Sequence, residues 1–352
     1  MGRPEAEEVP GQLQSTATMG YNVLHGWALG AGRDDAMVDL TALKSAAEWS
    51  RARKEISEAV KEVLGQRPAK RADLQLSVVD EMDFPKYVRR RVNYFVDDWT
   101  RVSAWMFLPN QQEELPAILC CHQECKQGKA EPAGLEGNGR MAFASHYAEL
   151  GYVTIAPDCI TAGERVSSRC EPYDASLFYK DHPRASLLGK MLDDHAHALD
   201  VLEEERRVDP ARIGVIGHGL GGTNALMLAA LDGRVQSCVA SCGFTRFSTD
   251  PDAGRWQKLL PKLMLAIEAG DFAFDWEHLL AMAAPSAVMV ITALEGATAG
   301  NPESCQDAVS QVEKLYKYFG APRAIDHFTH SDGHQMTYET LDMADDWFDR
   351  WL

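Results

Sequence analysis

No run of about 18 apolar residues occurs in this chain, so no transmembrane helix is expected. The opening stretch "MGRPEAEEVPGQLQ" has no apolar core of a secretory signal, and its Met-Gly start lacks the Ser or Thr of a myristoylation site. Positive charge is scarce: 35 Lys and Arg stand against 52 Asp and Glu, a net −17. That balance argues for solubility and against nucleic acid or an anionic membrane as the main partner. Internal repeats and low-complexity tracts are missing as well. Cysteine is present, eight in all, but not at the spacing of a disulfide framework, and Cys120 and Cys121 fall inside an apolar run. Reduced thiols in a cytoplasmic protein are the simpler expectation. "CCHQEC", residues 120–125, sets cysteines beside a histidine, yet no second ligand pair accompanies it. No metal and no cofactor is therefore expected.

What is present fits a large globular protein. Of the 352 residues, 45% are hydrophobic and 25% charged, enough for a sizeable core plus an appendage. Residues 1 to about 34 are rich in glycine and polar side chains and are expected to be loosely ordered. From Asp35 to Gly65 the spacing of Leu40, Leu43, Ala47, Ile56, Val60 and Leu64 predicts a helix, with Gly65 and Pro68 as its stop. Residues 1–68 thus read as a helical extension that covers the main domain or mediates self-association into a homo-oligomer. The main domain, 69–352, opens with three strands, "LQLSVV", "YVRRRVNYFV" and "RVSAWMFLP". "PAILCC" then begins an alternation: helix "RMAFASHYAELG", strand "YVTIAP", helix "RASLLGKMLDDHAHALDVLEEE", strand "RIGVIG", helix "LGGTNALMLAALDG", strand "VQSCVASCG". It resumes with strand "SAVMVITA", helix "ESCQDAVSQVEKLYKYFG", strand "RAIDHFT" and helix "MADDWFDRWL". Such alternation predicts an α/β fold with a mostly parallel, doubly wound sheet and antiparallel leading strands. Between them, about 244–285, Phe244, Phe247, Trp256, Phe272, Phe274 and Trp276 predict a helical cap. These aromatics either line a pocket for a small organic molecule with an apolar part or form the cap's own core.

The chemistry-bearing stretch is "RIGVIGHGLGGTNALMLAA", from Arg212 to Ala230. It has the form of a nucleophile elbow, G-x-S-x-G, in which a strand turns sharply into a helix. Gly219 stands where the nucleophile belongs, flanked by His218 and Leu220. The N–H of Leu220 is a candidate oxyanion donor, aided by the positive end of the helix. No Lys-Ser or Lys-Thr follows the glycines, and the dinucleotide fingerprint is only loosely approached. In "HFTHSDGHQMTYE", after the last strand, His334 holds the place of a triad base. Chain order asks for an acid between elbow and base; "SAVMVITALEG" supplies Glu295, with Glu303 in reserve. After "PAILCC", the backbone of Gln123 or Glu124 can supply the second oxyanion N–H. Glu124 is an odd neighbour for a developing anion unless it points away or meets a cationic group. Cys242 ends a strand and reads as core.

Together these pieces resemble the α/β-hydrolases, and within them the acetyl xylan esterase-like and dienelactone hydrolase-like branch. The resemblance runs from about residue 45 to 352, through "PAILCCHQECKQGKAEPAGLEG", "ELGYVTIAPDCITAGER", "VDPARIGVIGHGLGG", "SCGFTRF" and the terminal His loop. It implies hydrolysis of an ester or lactone by a nucleophile, His and an acid, without a metal. It places His334 as the base, Leu220 as an oxyanion donor and Glu295 as the acid. Gly219 departs from the pattern. Three readings follow: a serine hydrolase whose nucleophile was removed by design or natural loss; a non-covalent lyase, isomerase or cyclase that uses His334; or a catalytically dead small-molecule-binding protein.

Overall fold

The computed structural model describes residues 37–66, 73–98, 100–250, 255–271, 273–295 and 301–352. The N-terminal stretch 1–34 and the cap residue Phe272 lie outside the described residues. The chain begins with α1 (Ala46–Leu64), followed by β1 (Ser77–Asp83), β2 (Tyr87–Phe95), β3 (Arg101–Pro109) and β4 (Leu115–Cys121). Next come α2 (Phe143–Glu149), β5 (Val153–Pro157), α3 (Ser176–Asp181), α4 (Leu187–Glu204), β6 (Val208–His218), α5 (Leu220–Leu231) and β7 (Val235–Ser241). The cap holds α6 (Arg255–Leu259), α7 (Pro261–Ala269) and α8 (Trp276–Ala283); β8 (Ala287–Ala293), α9 (Pro302–Tyr318), β9 (Ile325–His330) and α10 (Tyr338–Trp351) complete the fold.

The strands form one sheet in the order β1-β2-β3-β5-β4-β6-β7-β8-β9. β1, β2 and β3 pair antiparallel, and β3 also meets β5 antiparallel. From β5 to β9 every pairing is parallel. This is the α/β-hydrolase architecture expected from the alternation. The central strands are apolar on both faces because helices cover both; all seven residues of β8 are buried. β1 is an edge strand, exposed along its whole length. α5 carries Leu, Ala and Met around its full circumference, and residues 220–230 are all buried. It lies in the middle of the molecule rather than on its surface.

Several boundaries differ from the periodicity: β1 runs from Ser77 to Asp83 rather than from Leu74 to Val79, β6 begins at Val208 rather than Arg212, and α10 begins at Tyr338 rather than Met343. α1 starts at Ala46, not near Asp35, because Ser45 caps it and accepts from Glu48 N–H at 3.2 Å. Asp39 instead caps a separate short turn, Leu40–Ala42. The apolar face of α1 is Trp49, Ala52, Ile56, Val60 and Leu64; Ala47 is exposed. The helix expected over residues 140–151 is an α-helix only from Phe143 to Glu149, preceded by a 3-10 turn at Gly139–Met141. α1 leans on the cap: Arg53 reaches the Met282 carbonyl at 3.3 Å, Glu62 pairs with Lys262, and His278 Nε2 bonds the Val38 carbonyl at 2.9 Å. The cap aromatics pack on one another, with Phe247 edge-on to Trp256 at 5.2 Å and Phe244 stacked on Trp276 at 5.1 Å. Phe244, Phe247, Trp256, Phe274 and Trp276 are all buried, so they form the cap's core and do not line an apolar pocket as a group.

All the predicted site segments leave the sheet on one edge. β4 ends just before His122, β6 at His218, β7 just before Cys242, β8 just before Glu295, and β9 ahead of the His334 loop. In an open parallel sheet this C-terminal edge, where strand order reverses around β4 and β6, is where ligands bind.

Candidate active site

The elbow has the backbone of a nucleophile turn. Gly219 sits at φ 54°, ψ −120°, a conformation that L side chains rarely adopt. Its N–H donates to the Ser241 carbonyl at 2.8 Å, which ties the turn to the end of β7. Strand and helix approach so closely that a Cβ on Gly217 would stand 2.2 Å from the Gly221 backbone. Only glycine fits there. At Gly219 itself an added Cβ would meet His334 Nε2 at 3.1 Å and the Gln123 Cβ at 3.8 Å. The structure therefore brings Gly219, His334 and Gln123 to one point.

His334 lies open to solvent in its loop, with its ring 4.5 Å from that of His218. Partial desolvation, then the charge of Arg255 and the neighbouring His330, hold its pKa below the ordinary histidine value. A neutral imidazole is the form that accepts a proton. Glu295, the predicted acid, is exposed just after β8. No carboxylate among the described residues hydrogen-bonds the His334 ring, Glu295 included. Glu303 occupies the first turn of α9, beside the Asn301 cap. Asp332 stays with His330, its carboxylate 3.9 Å from His330 Nδ1. Base and elbow are assembled; base and acid are not.

The oxyanion side is built from the turn after β4. His122 is buried, donates through Nδ1 to the Gln123 carbonyl at 2.8 Å and accepts at Nε2 from Cys159 N–H at 3.0 Å. Burial lowers its pKa, in keeping with a neutral ring in this single tautomer. Tyr173 Oη donates to the same carbonyl at 3.0 Å, and buried Glu131 holds the Gln123 side chain at 2.9 and 3.0 Å. With the rest of Gln123 pinned, its N–H enters no hydrogen bond among the described residues. The N–H of Leu220, first in α5, has no intrahelical partner either. Glu124 does not face the anion site unpaired: it reaches across to Lys258 at 2.9 Å. The charge conflict raised by the sequence is resolved by a cation from the cap.

A cleft of ≈ 370 Å³ lies over the elbow, lined by Glu124, Leu220, Thr223, Arg255, Trp256 and Lys258 among others. Its lining is more charged than the aromatic count suggested. Arg255 and Lys258 both come from α6, a helix too short for the sequence pattern to announce. The sequence reading took Cys242 as core, and it follows β7 at φ 49°; it passed over Ser241, whose Oγ bonds His218 Nδ1 at 2.9 Å. Their only signal was position: both close a central strand beside the elbow.

The elbow, the histidine loop and the turn after β4 thus meet on one sheet edge, as the sequence reading expected of an acyl-transfer site. Comparison with known proteins bears on the same point. The dienelactone hydrolase family model matches residues 102–258. Over 150 residues it is 31% identical to the protein YtaP of Bacillus subtilis strain 168; the match takes in 40% of this chain and 48% of YtaP, about half of that relative's length. Among solved structures it is similar to a glucuronoyl esterase from Solibacter usitatus, with a TM-score of 0.72, 16% identity, and 90% of this chain and 98% of that one covered. An acetyl xylan esterase from Thermoanaerobacterium sp. covers 90% of this chain and 95% of its own, with a TM-score of 0.56 and 16% identity. At such identities the likeness is one of fold, and the fold is that of an α/β-hydrolase. No described helix is long and apolar enough to cross a membrane.

Proposed function

We propose that this protein hydrolyses an ester or lactone of a small organic molecule at the elbow, with water rather than a side chain as the attacking nucleophile. The observation that carries this reading is the 3.1 Å between His334 Nε2 and the position of a residue-219 Cβ. A group that activates a nucleophile faces the seat of the nucleophile, and glycine leaves that seat accessible to solvent-sized molecules. One proton of the water passes away at His334, its oxygen adds to the acyl carbon, and the oxyanion is met by the N–H groups of Leu220 and Gln123. The bond from carbon to the leaving oxygen then breaks, and that oxygen takes up a proton. No acyl-enzyme forms. Arg255 and Lys258 in the cleft are paired with Asp250 and Glu124, so the charged lining favours a polar substrate over a wholly apolar one.

The family domain and the esterase-like fold support the reaction class. The test compares this chain, Gly219→Ser and His334→Ala on a panel of aryl acetates and lactones. The expected result is slow turnover without a burst in the chain as it stands, lost in His334→Ala. A chain that binds these compounds but turns none of them over defeats the proposal and leaves a binding protein.

A further inference from the structure

The seat of the missing nucleophile is also where three potential metal ligands meet. His218, Cys242 and His334 each offer one donor atom, and these atoms lie within 4.8 Å of one another. The three come from the ends of β6 and β7 and from the loop after β9, so no local sequence pattern joins them. His218 is 1% exposed, and its Nε2 has no hydrogen-bond partner. A buried ring nitrogen left without a partner is costly and calls for an occupant. The other ring nitrogen, Nδ1, is already committed to Ser241 Oγ at 2.9 Å. With Nδ1 as the donor, that bond fixes the ring and leaves the Nε2 lone pair free, which is the outer-shell arrangement of metal-binding histidines. Cys242 holds a positive φ of 49°, a backbone conformation that a non-glycine residue adopts only when its surroundings impose it.

We infer that His218, Cys242 and His334 form a binding site for a divalent cation of the zinc class. Two imidazoles and one thiolate make a borderline-soft set, a combination that zinc takes in open, three-ligand sites. Closing to tetrahedral zinc needs donor atoms about 3.5 Å apart, as follows from metal–ligand bonds of about 2.0–2.3 Å. The exposed His334 loop is the member free to move inward. The fourth position would fall beside Gly219, where any larger side chain would crowd His334. There the cation would hold a water and make it more acidic, and His334 would then serve as a ligand in place of the free base of the proposed function; the inference rests on the three donors and not on that reading. The balance is unchanged, since ester and water give acid and alcohol and the water's proton leaves to solvent.

The experiment reads the metal, with no substrate present. The full chain is stripped with chelator, dialysed against Zn²⁺ alone and assayed for bound metal, then titrated with Co²⁺ as a spectroscopic probe. One Zn²⁺ per chain and a thiolate-to-cobalt charge-transfer band are expected. Cys242→Ser abolishes the band, and Ser241→Ala weakens binding about 10- to 100-fold through the His218 ring. No stoichiometric metal, or a cobalt spectrum without thiolate character, overturns the inference; the spectrum of the unsubstituted chain decides this even where a variant fails to fold. Metal that binds without any ester turnover leaves the site standing and defeats the proposed function. Turnover that survives full chelation leaves the proposed function standing with His334 as a free base, and the metal assay alone then decides the site.

Discussion

The two halves of the candidate site are built differently. On the side of β4, β6 and β7, each group is tied down: Gly219 by the Ser241 carbonyl, Gln123 by the Tyr173 hydroxyl and the Glu131 carboxylate, His122 by the Cys159 N–H. On the side of β8 and β9, Glu295 and His334 stand on exposed loops with no hydrogen bond between them. The first half has the shape of an elbow, with Gly219 at its tip. The second keeps the residue types but not their partnership. Shape survives because glycine-mediated backbone packing cannot relax without disturbing the sheet, whereas a loop carboxylate can drift at little cost.

This contrast is sharpest for His334. His334→Ala is expected to lower ester hydrolysis on the order of 10² to 10⁴-fold, read as kcat/KM, with little change in the melting temperature. A stability loss equal to that of a core substitution would erase the contrast. On the rigid side the effect falls on folding instead. Gly221→Ala sets a Cβ 2.2 Å from the Cys121 carbonyl oxygen, and a loss of about 3 kcal/mol is expected in chemical denaturation.

Gly219→Ser is milder, about 1–2 kcal/mol, because a side chain must adopt positive φ and press His334 by a few tenths of an ångström. In exchange, an acyl-enzyme burst is expected with activated esters, lost again on adding His334→Ala. The buried face under β4 and β6 also gives a pH signature. His195 is 1% exposed, and burial, opposed in part by the Asp194 charge, lowers its pKa to about 4. The unfolded chain, near the ordinary value of 6.5, binds the proton more readily. Stability is therefore present in full above that value and is lost as pH falls from about 6.5 towards 4, and His195→Gln is expected to flatten the slope of unfolding free energy over that window. The smallest effect belongs to Glu295→Gln, under about threefold in kcat/KM, since no bond to His334 is lost. A large loss there would show that the two loops close into a triad in solution.

The sheet was legible because burial on both faces writes continuous apolar runs, as in Leu115–Cys121 and Ala287–Ala293, and helices between them write another period. α3, at Ser176–Asp181, escaped because six residues between prolines carry no readable period. α1 was misplaced at its start because Leu40 and Leu43 kept the spacing while Asp39 and Ser45 each began a new element. Within the site, Gly219, Leu220, Gln123 and His334 could be named from strand ends and chain order. Cys242 could not, because nothing near it in sequence signals its neighbours across the sheet. The cap aromatics suggested a pocket, yet mutual packing buries them, and composition alone does not distinguish the two outcomes.

The N-terminal helix bears on how the cap moves. α1 packs against α7, buries Trp49, Ile56 and Val60 on its inner face, and is tied to the cap by Arg53 at Met282 and Glu62 at Lys262. A cap held this way cannot swing as an isolated flap, because lifting it would strip apolar surface from the helix outside it. Helix and cap therefore form one cooperative unit in the protein's spectrum of local openings, and their amides share a common exchange free energy. Traffic to the elbow is left to side-chain rearrangements at the rim, where Glu124 and Lys258 meet.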